Sequence, residues 1–122
     1  MDKNFYITTP IYYPSARPHM GHAYSSIIAD FFSRFKTIDG YKVYFLTGTD
    51  EHGLKIQRSA EKEGLDPLNF CDQISKTFRD LSKTLNLSNT DFIRTTEERH
   101  KKTVQHLWKE LEKNDDIYLS NY

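Results

Sequence analysis

One cysteine, Cys71, stands among 122 residues, so no internal disulfide and no cysteine-rich zinc knuckle can form within them. Lysine plus arginine and aspartate plus glutamate both number 17, which leaves no net charge and no single-signed field to draw a polyanion to the chain. No apolar run reaches the ~18 residues of a membrane span. Met1-Asp2-Lys3-Asn4 leads at once into an apolar segment, without the pattern of a signal or transit peptide. These absences predict a cytosolic protein with no membrane attachment. Internal repeats, low-complexity tracts and linkers are missing too. With 37% hydrophobic residues, the chain has material for one modest core.

Proline is scarce at four residues, yet Pro10, Pro14 and Pro18 crowd into one segment. They hold it extended and forbid helix until Pro18 is passed. Before them, Phe5-Tyr6-Ile7-Thr8 reads as a buried strand. After them a long apolar-periodic stretch reads as a helix beginning near His19. A helix N-terminus carries free N–H groups and partial positive charge, which suits a phosphate. Gly21 removes a side chain at that point. The spacing of His19 and His22 lets both rings project to one side of the first turn, as paired donors to an anion. A bare His-x-x-His is more often surface polarity or a stray metal pair; the strand before and the helix after give this one a ligand-facing context.

Further along, Tyr24, Ile27, Ile28, Phe31, Phe35 and Ile38 recur at helical steps, predicting a helix that buries a broad aromatic face until Asp39-Gly40 stops it. Val43-Tyr44-Phe45-Leu46 is a continuous apolar run, as in a parallel strand covered on both faces. Gly48, Asp50 and Gly53 form the next turn, and helix resumes from Leu54 to Glu63, with Gly64 as its stop. Asp66-Pro67 opens another helix, whose Cys71, Ile74, Phe78, Leu81 and Leu85 keep the apolar rhythm. Asp91-Phe92-Ile93-Arg94 is a short third strand. Thr95 and Glu98 fit a capping box for a helix bearing Val104, Leu107, Trp108 and Leu111. The order predicts an α/β fold: a Rossmann-like parallel sheet with right-handed crossover helices.

In such sheets ligands bind beyond the C-terminal ends of the strands. The first proline-histidine segment follows strand one and the Asp50 turn follows strand two, so Tyr13, His19, His22, Asp50 and His52 are expected around one cleft. Asp50 could pair with a substrate ammonium or simply cap the next helix. His52 either orients the loop or approaches the substrate. Tyr12 is read as packing, and Lys55, Gln57 and Arg58 as a solvated helix face. Arg99, His100, Lys101 and Lys102 form either an RNA contact or, more simply, a solvated helix end.

His19-Met20-Gly21-His22, with Pro18 before it and behind Pro10-Ile11-Tyr12-Tyr13, resembles the HIGH signature of class I aminoacyl-tRNA synthetases. The usual second residue is Ile or Leu; Met20 is similar in size and is expected to fill the same space. Leu46-Thr47-Gly48-Thr49-Asp50-Glu51-His52-Gly53-Leu54-Lys55-Ile56 resembles the segment after the second strand in methionyl-tRNA synthetases. The likeness continues through Gln57-Arg58-Ser59-Ala60-Glu61-Lys62 and, more loosely, to the chain's end.

The resemblance implies the first half of the synthetase nucleotide-binding fold, and an activity that joins methionine to tRNA(Met) through a methionyl-adenylate made from ATP. His19, Gly21 and His22 would bind ATP, with the two histidines catalytic. Pro10, Ile11, Tyr13, Asp50 and His52 would bind methionine. Magnesium would ride on the ATP phosphates, and zinc would belong to a connective domain outside these residues. Residues 1–116 would be the N-terminal half of the catalytic domain and 117–122 the start of a strand leading into that connective domain. The family's KMSKS loop and anticodon-binding domain do not occur in this sequence, so the chain is expected to be a truncated piece, inactive alone. It is expected not to bind tRNA by itself and to self-associate through its uncovered face. Two other readings remain: a small HxGH-type nucleotidylyltransferase, and a noncatalytic nucleotide-binding or interaction module.

Overall fold

The computed structural model describes residues 3–121. Its elements follow in the order β1 (Asn4–Thr8), α1 (Met20–Ile38), β2 (Lys42–Thr49), α2 (Leu54–Lys62), α3 (Pro67–Thr84), β3 (Asp91–Arg94) and α4 (Glu98–Lys113). The strands form one parallel sheet in the order β1-β2-β3, with Tyr6 opposite Tyr44 and Thr49 opposite Arg94. Both crossovers run between neighbouring parallel strands, and right-handed connections bring their helices to the same face. Residues 117–121 carry no regular secondary structure, and Tyr122 lies outside the described residues. Among the described residues no helix is long and apolar enough to cross a membrane.

The helix-covered face of the sheet is the packed one. Phe45 is fully buried, and Thr49 on the same side meets Ser75 of α3 at 3.2 Å. Ile56 and Ala60 of α2 close against Phe70 and Cys71 of α3, while Tyr12, Phe78 and Phe92 form a second cluster; Ile74 touches both. Asp66 caps α3 through its carboxylate, which accepts the Leu68 and Asn69 N–H groups ahead of Pro67.

Several expectations are corrected. The aromatic stripe of α1 is not its buried face: Tyr24, Phe31 and Ile38 are exposed, and the helix seats on Ala23, Ser26, Ala29, Asp30 and Ser33 instead. Small residues allow close approach to the sheet. Asp30 is tied across to Ser88, whose N–H and hydroxyl it accepts. Strand β2 is covered on one side only, since Tyr44 and its neighbour Tyr6 are open to solvent. Helix α4 buries none of its residues, leaving Val104, Leu107 and Trp108 exposed. Its N-cap is Glu97 and makes no side-chain cap, because Thr95 is buried in another interaction described below. Met20 also fills no interior space; it is 83% exposed.

Candidate functional site

Beyond Thr8 the chain leaves β1 but stays beside β2. The Tyr12 N–H donates to Gly48 O at 2.9 Å, and the Asp50 N–H donates to Tyr12 O at 2.9 Å. These two bonds carry the parallel pairing past the strand ends, so Pro10, Ile11 and Tyr13 run alongside Gly48-Thr49-Asp50. Tyr12, the expected packing residue, is the hinge of the arrangement. Its ring stacks on Phe78 and meets the His22 ring edge-on at 4.9 Å, and its hydroxyl bonds Ser26 of α1 at 2.8 Å. The two sequence motifs are thus joined through one buried side chain.

At the start of α1 the two histidines cap each other's turn. His19 is the N-cap, with extended backbone, and its Nδ1 accepts the Gly21 N–H at 3.0 Å; His22 Nδ1 accepts the His19 N–H at 3.0 Å. Imidazole nitrogens here do what Ser and Glu do in an ordinary capping box. A Cβ on residue 21 would lie 2.9 Å from the His19 ring, so glycine is required for that ring to fold over the turn. The rings lie 3.9 Å apart. An Nδ1 that accepts an N–H carries no proton, so each neutral ring keeps its proton on Nε2. Both remaining donors are therefore free of the helix backbone. The proton affinity of His22 is lowered, first by its burial against Tyr12 and Phe78 and second by the neighbouring His19.

The turn after β2 is fixed from three sides. Tyr13 packs on the Ile56–Phe70 cluster and donates its hydroxyl to His52 O at 2.6 Å. Gly53 follows with φ of +116°, and a Cβ there would meet the Tyr13 hydroxyl at 2.2 Å. Gly53, not Asp50, is the N-cap of α2, which removes the capping alternative for Asp50. Its carboxylate lies at the strand end, 3.5 Å from the Thr95 hydroxyl. His52 Nε2 reaches Thr95 O at 3.3 Å, which supports the loop-orienting reading of that ring. Pro10 and Ile11 are exposed on the flank of the same strand ends.

Between Asp50 and His52 sits a residue the sequence reading passed over. The Glu51 side chain has no solvent exposure; its carboxylate accepts Arg94 Nε and Thr49 Oγ1 at 2.7 Å and Thr96 Oγ1 at 2.5 Å. Arg94 continues to Asp72 of α3 at 2.5 Å, and its proton affinity is raised by these two carboxylates. The signal was available: a parallel third strand sets Arg94 opposite Thr49, where only an acid could accompany it into the interior. The Cys71 thiol lies 3.8 Å from Glu51 O, and burial and the Glu51 charge push it up to about 11, so it is an inert core group.

Two cations of the short basic run on α4 are paired locally. Arg99 pairs with Asp91 and Glu97, and Lys101 with Glu98. Lys55, Gln57 and Arg58 are exposed as expected. Among the described residues no cluster of three His, Cys, Asp or Glu is arranged to hold a metal.

The profile of the family described as tRNA synthetases class I (M) matches residues 5–122. The mitochondrial methionine–tRNA ligase of Takifugu rubripes is 54% identical over 121 residues, covering 99% of this chain and 20% of that protein. The methionine–tRNA ligase of Listeria monocytogenes is 51% identical over 122 residues, again 99% of this chain and 18% of its own length. The crystal structure of Mycobacterium tuberculosis methionyl-tRNA synthetase bound by methionyl-adenylate superposes with a TM-score of 0.96 at 45% identity, over 98% of this chain and 24% of that one. The chain thus spans about a fifth of the length of the curated relatives it matches.

Proposed function

Because the chain belongs to the class I tRNA synthetase family (M), we propose that it supplies the nucleotide- and methionine-holding strand ends of a methionine–tRNA ligase. The reciprocal histidine cap carries this reading. Two imidazoles whose Nδ1 atoms are occupied by backbone N–H groups have only Nε2–H to offer, and both stand at the positive end of a helix.

In the reaction, a methionine carboxylate oxygen attacks the α-phosphorus of ATP in line, and pyrophosphate leaves. No base is needed, since a carboxylate is already a nucleophile, so catalysis consists of positioning and charge stabilisation. His19 and His22 donate Nε2–H to phosphate oxygens as charge builds on them. Gly21 lets the nucleotide lie against backbone. Asp50 takes the methionine ammonium, and Tyr13, with Pro10 and Ile11, lines the thioether side, where sulfur-aromatic contact is favourable. His52 holds the turn through Thr95. The tRNA 3′ hydroxyl then accepts the acyl group.

Magnesium bound to ATP would neutralise phosphate charge. The acid groups here offer it no dedicated cluster among the described residues, so it would enter with the nucleotide. Zinc, where a relative holds it, would lie outside these residues. With equal numbers of acidic and basic residues, and Arg99 and Lys101 of α4 each held by an acid, the chain is not expected to hold tRNA by itself. A cytosolic setting fits the bacterial relatives, although the Takifugu relative is mitochondrial. The nucleotidylyltransferase alternative gives way, because the family match embraces the Asp50 turn as well as the histidine motif.

Calorimetric titration of the chain with ATP-magnesium and with L-methionine tests the proposal. ATP affinity is expected to fall about tenfold in His19→Ala and His22→Ala, the loss of a charge-assisted hydrogen bond. Methionine affinity should fall by at least as much in Asp50→Ala. A folded chain that binds neither ligand would refute the proposal for this chain and leave it a scaffold that needs the rest of the enzyme. Methionine-dependent pyrophosphate exchange separates binding from chemistry, and the isolated chain is expected to lack it.

A further inference from the structure

We infer that the Thr95 hydroxyl, anchored by the buried Glu51–Arg94 pair, is the positioning group that presents the Asp50 carboxylate to the amino acid. This rests on the assignment of Asp50 to the methionine ammonium made above.

Thr95 is 5% exposed and touches all three residues of the turn. Its Oγ1 accepts the Glu51 N–H at 2.7 Å and stands 3.5 Å from Asp50 Oδ1 with its own proton to give, while its carbonyl meets His52 Nε2 at 3.3 Å. A hydroxyl has one proton, and the Glu51 N–H occupies the acceptor side, so the proton is directed to Asp50.

Glu51 sets the orientation. Its side chain points inward to Arg94, Thr49 and Thr96, while Asp50 on one side is half-buried and His52 on the other is exposed. Arg94 is held in turn by Asp72, which fixes the pair to α3. The arrangement also keeps the guanidinium engaged by two other acids. Asp50, one residue beyond Arg94's partner Thr49 in the sheet register, is thereby left without a cationic partner among the described residues and open to an ammonium.

A purely structural threonine would behave differently from a positioning one when its hydroxyl alone is removed. Thr95→Val, which keeps the shape and loses the hydroxyl, is expected to weaken L-methionine binding by about tenfold, whereas Thr95→Ser stays within about twofold of the parent and ATP-magnesium affinity is unchanged in both. Equal methionine affinity in the valine variant, or equal losses for methionine and ATP, would overturn the inference.

Amide exchange of the same proteins keeps the test independent of ligand binding. The Glu51 amide is expected to exchange at least tenfold faster in Thr95→Val, with β1–β2 amides unchanged and Thr95→Ser restored to the parent rate. If the parent chain binds no methionine, the functional reading of Asp50 fails. The exchange result then decides positioning alone: unaltered Glu51 protection in the valine variant refutes it, and local loss sustains it.

Discussion

At the scale of single residues, the histidine cap makes the first turn of α1 sensitive to acid. Protonation of His22 at Nδ1 destroys the acceptor that satisfies the His19 N–H. The proton affinity of His22 is lowered in the fold, so the unfolded chain binds the proton more readily and stability rises with pH across this window. The contribution is present above the ordinary histidine value of 6.5 and is lost as pH falls below it toward the lower folded value. Urea denaturation midpoints are therefore expected to drop between pH 7 and pH 5, by an amount on the order of a helix cap, ~1 kcal/mol. In His22→Ala that pH dependence should flatten; an unchanged slope would mean that another group titrates. Gly53 gives a second test. Its positive φ and the Tyr13 hydroxyl both exclude a Cβ, so Gly53→Ala is expected to cost more than ~1 kcal/mol by thermal denaturation, and the loss should be only partly relieved by adding Tyr13→Phe.

Between elements, the Glu51–Arg94–Asp72 chain ties the β2–α2 turn to β3 and α3. Removing Arg94 alone strands a fully buried carboxylate, and Arg94→Met is expected to destabilise by roughly 3–5 kcal/mol in urea titration. Adding Glu51→Leu should recover most of that loss, because a buried pair replaced by apolar groups is often close to neutral. Failure to recover would locate the cost in Asp72 or in packing. This network also marks where the sequence was legible. Element order, the parallel sheet and the convergence of the two turns follow from apolar periodicity and from Pro10, Pro14 and Pro18. The Thr95–Glu98 capping pattern misled because a buried backbone donor, the Glu51 N–H, outcompeted the helix for the same hydroxyl. The face of α1 misled for another reason: periodicity reveals that a helix has an apolar stripe, but which stripe is covered depends on the neighbours, and here Ala23, Ser26 and Ala29 approach the sheet while the aromatic residues have none.

For the whole molecule, that misplacement has a physical consequence. Tyr24, Phe31, Phe35 and Ile38 on α1, Tyr6 and Tyr44 on the bare side of the sheet, and Leu107 with Trp108 on α4 are all at least 45% exposed. Exposed apolar surface on several faces favours association, and β1 and β3 are the edge strands of the sheet. With no net charge to oppose contact, the isolated chain is expected to sediment as concentration-dependent oligomers and to bind a hydrophobic dye while folded. Phe31→Lys together with Tyr44→Lys separates surface from core. If these side chains pack in the interior, each change should cost several kcal/mol, as for other buried aromatics. If they are exposed, stability should shift by no more than about 0.5 kcal/mol per site, while the sedimentation coefficient moves toward that of a monomer. A parent chain that sediments as a monomer at every concentration would show that these faces are covered within the chain itself.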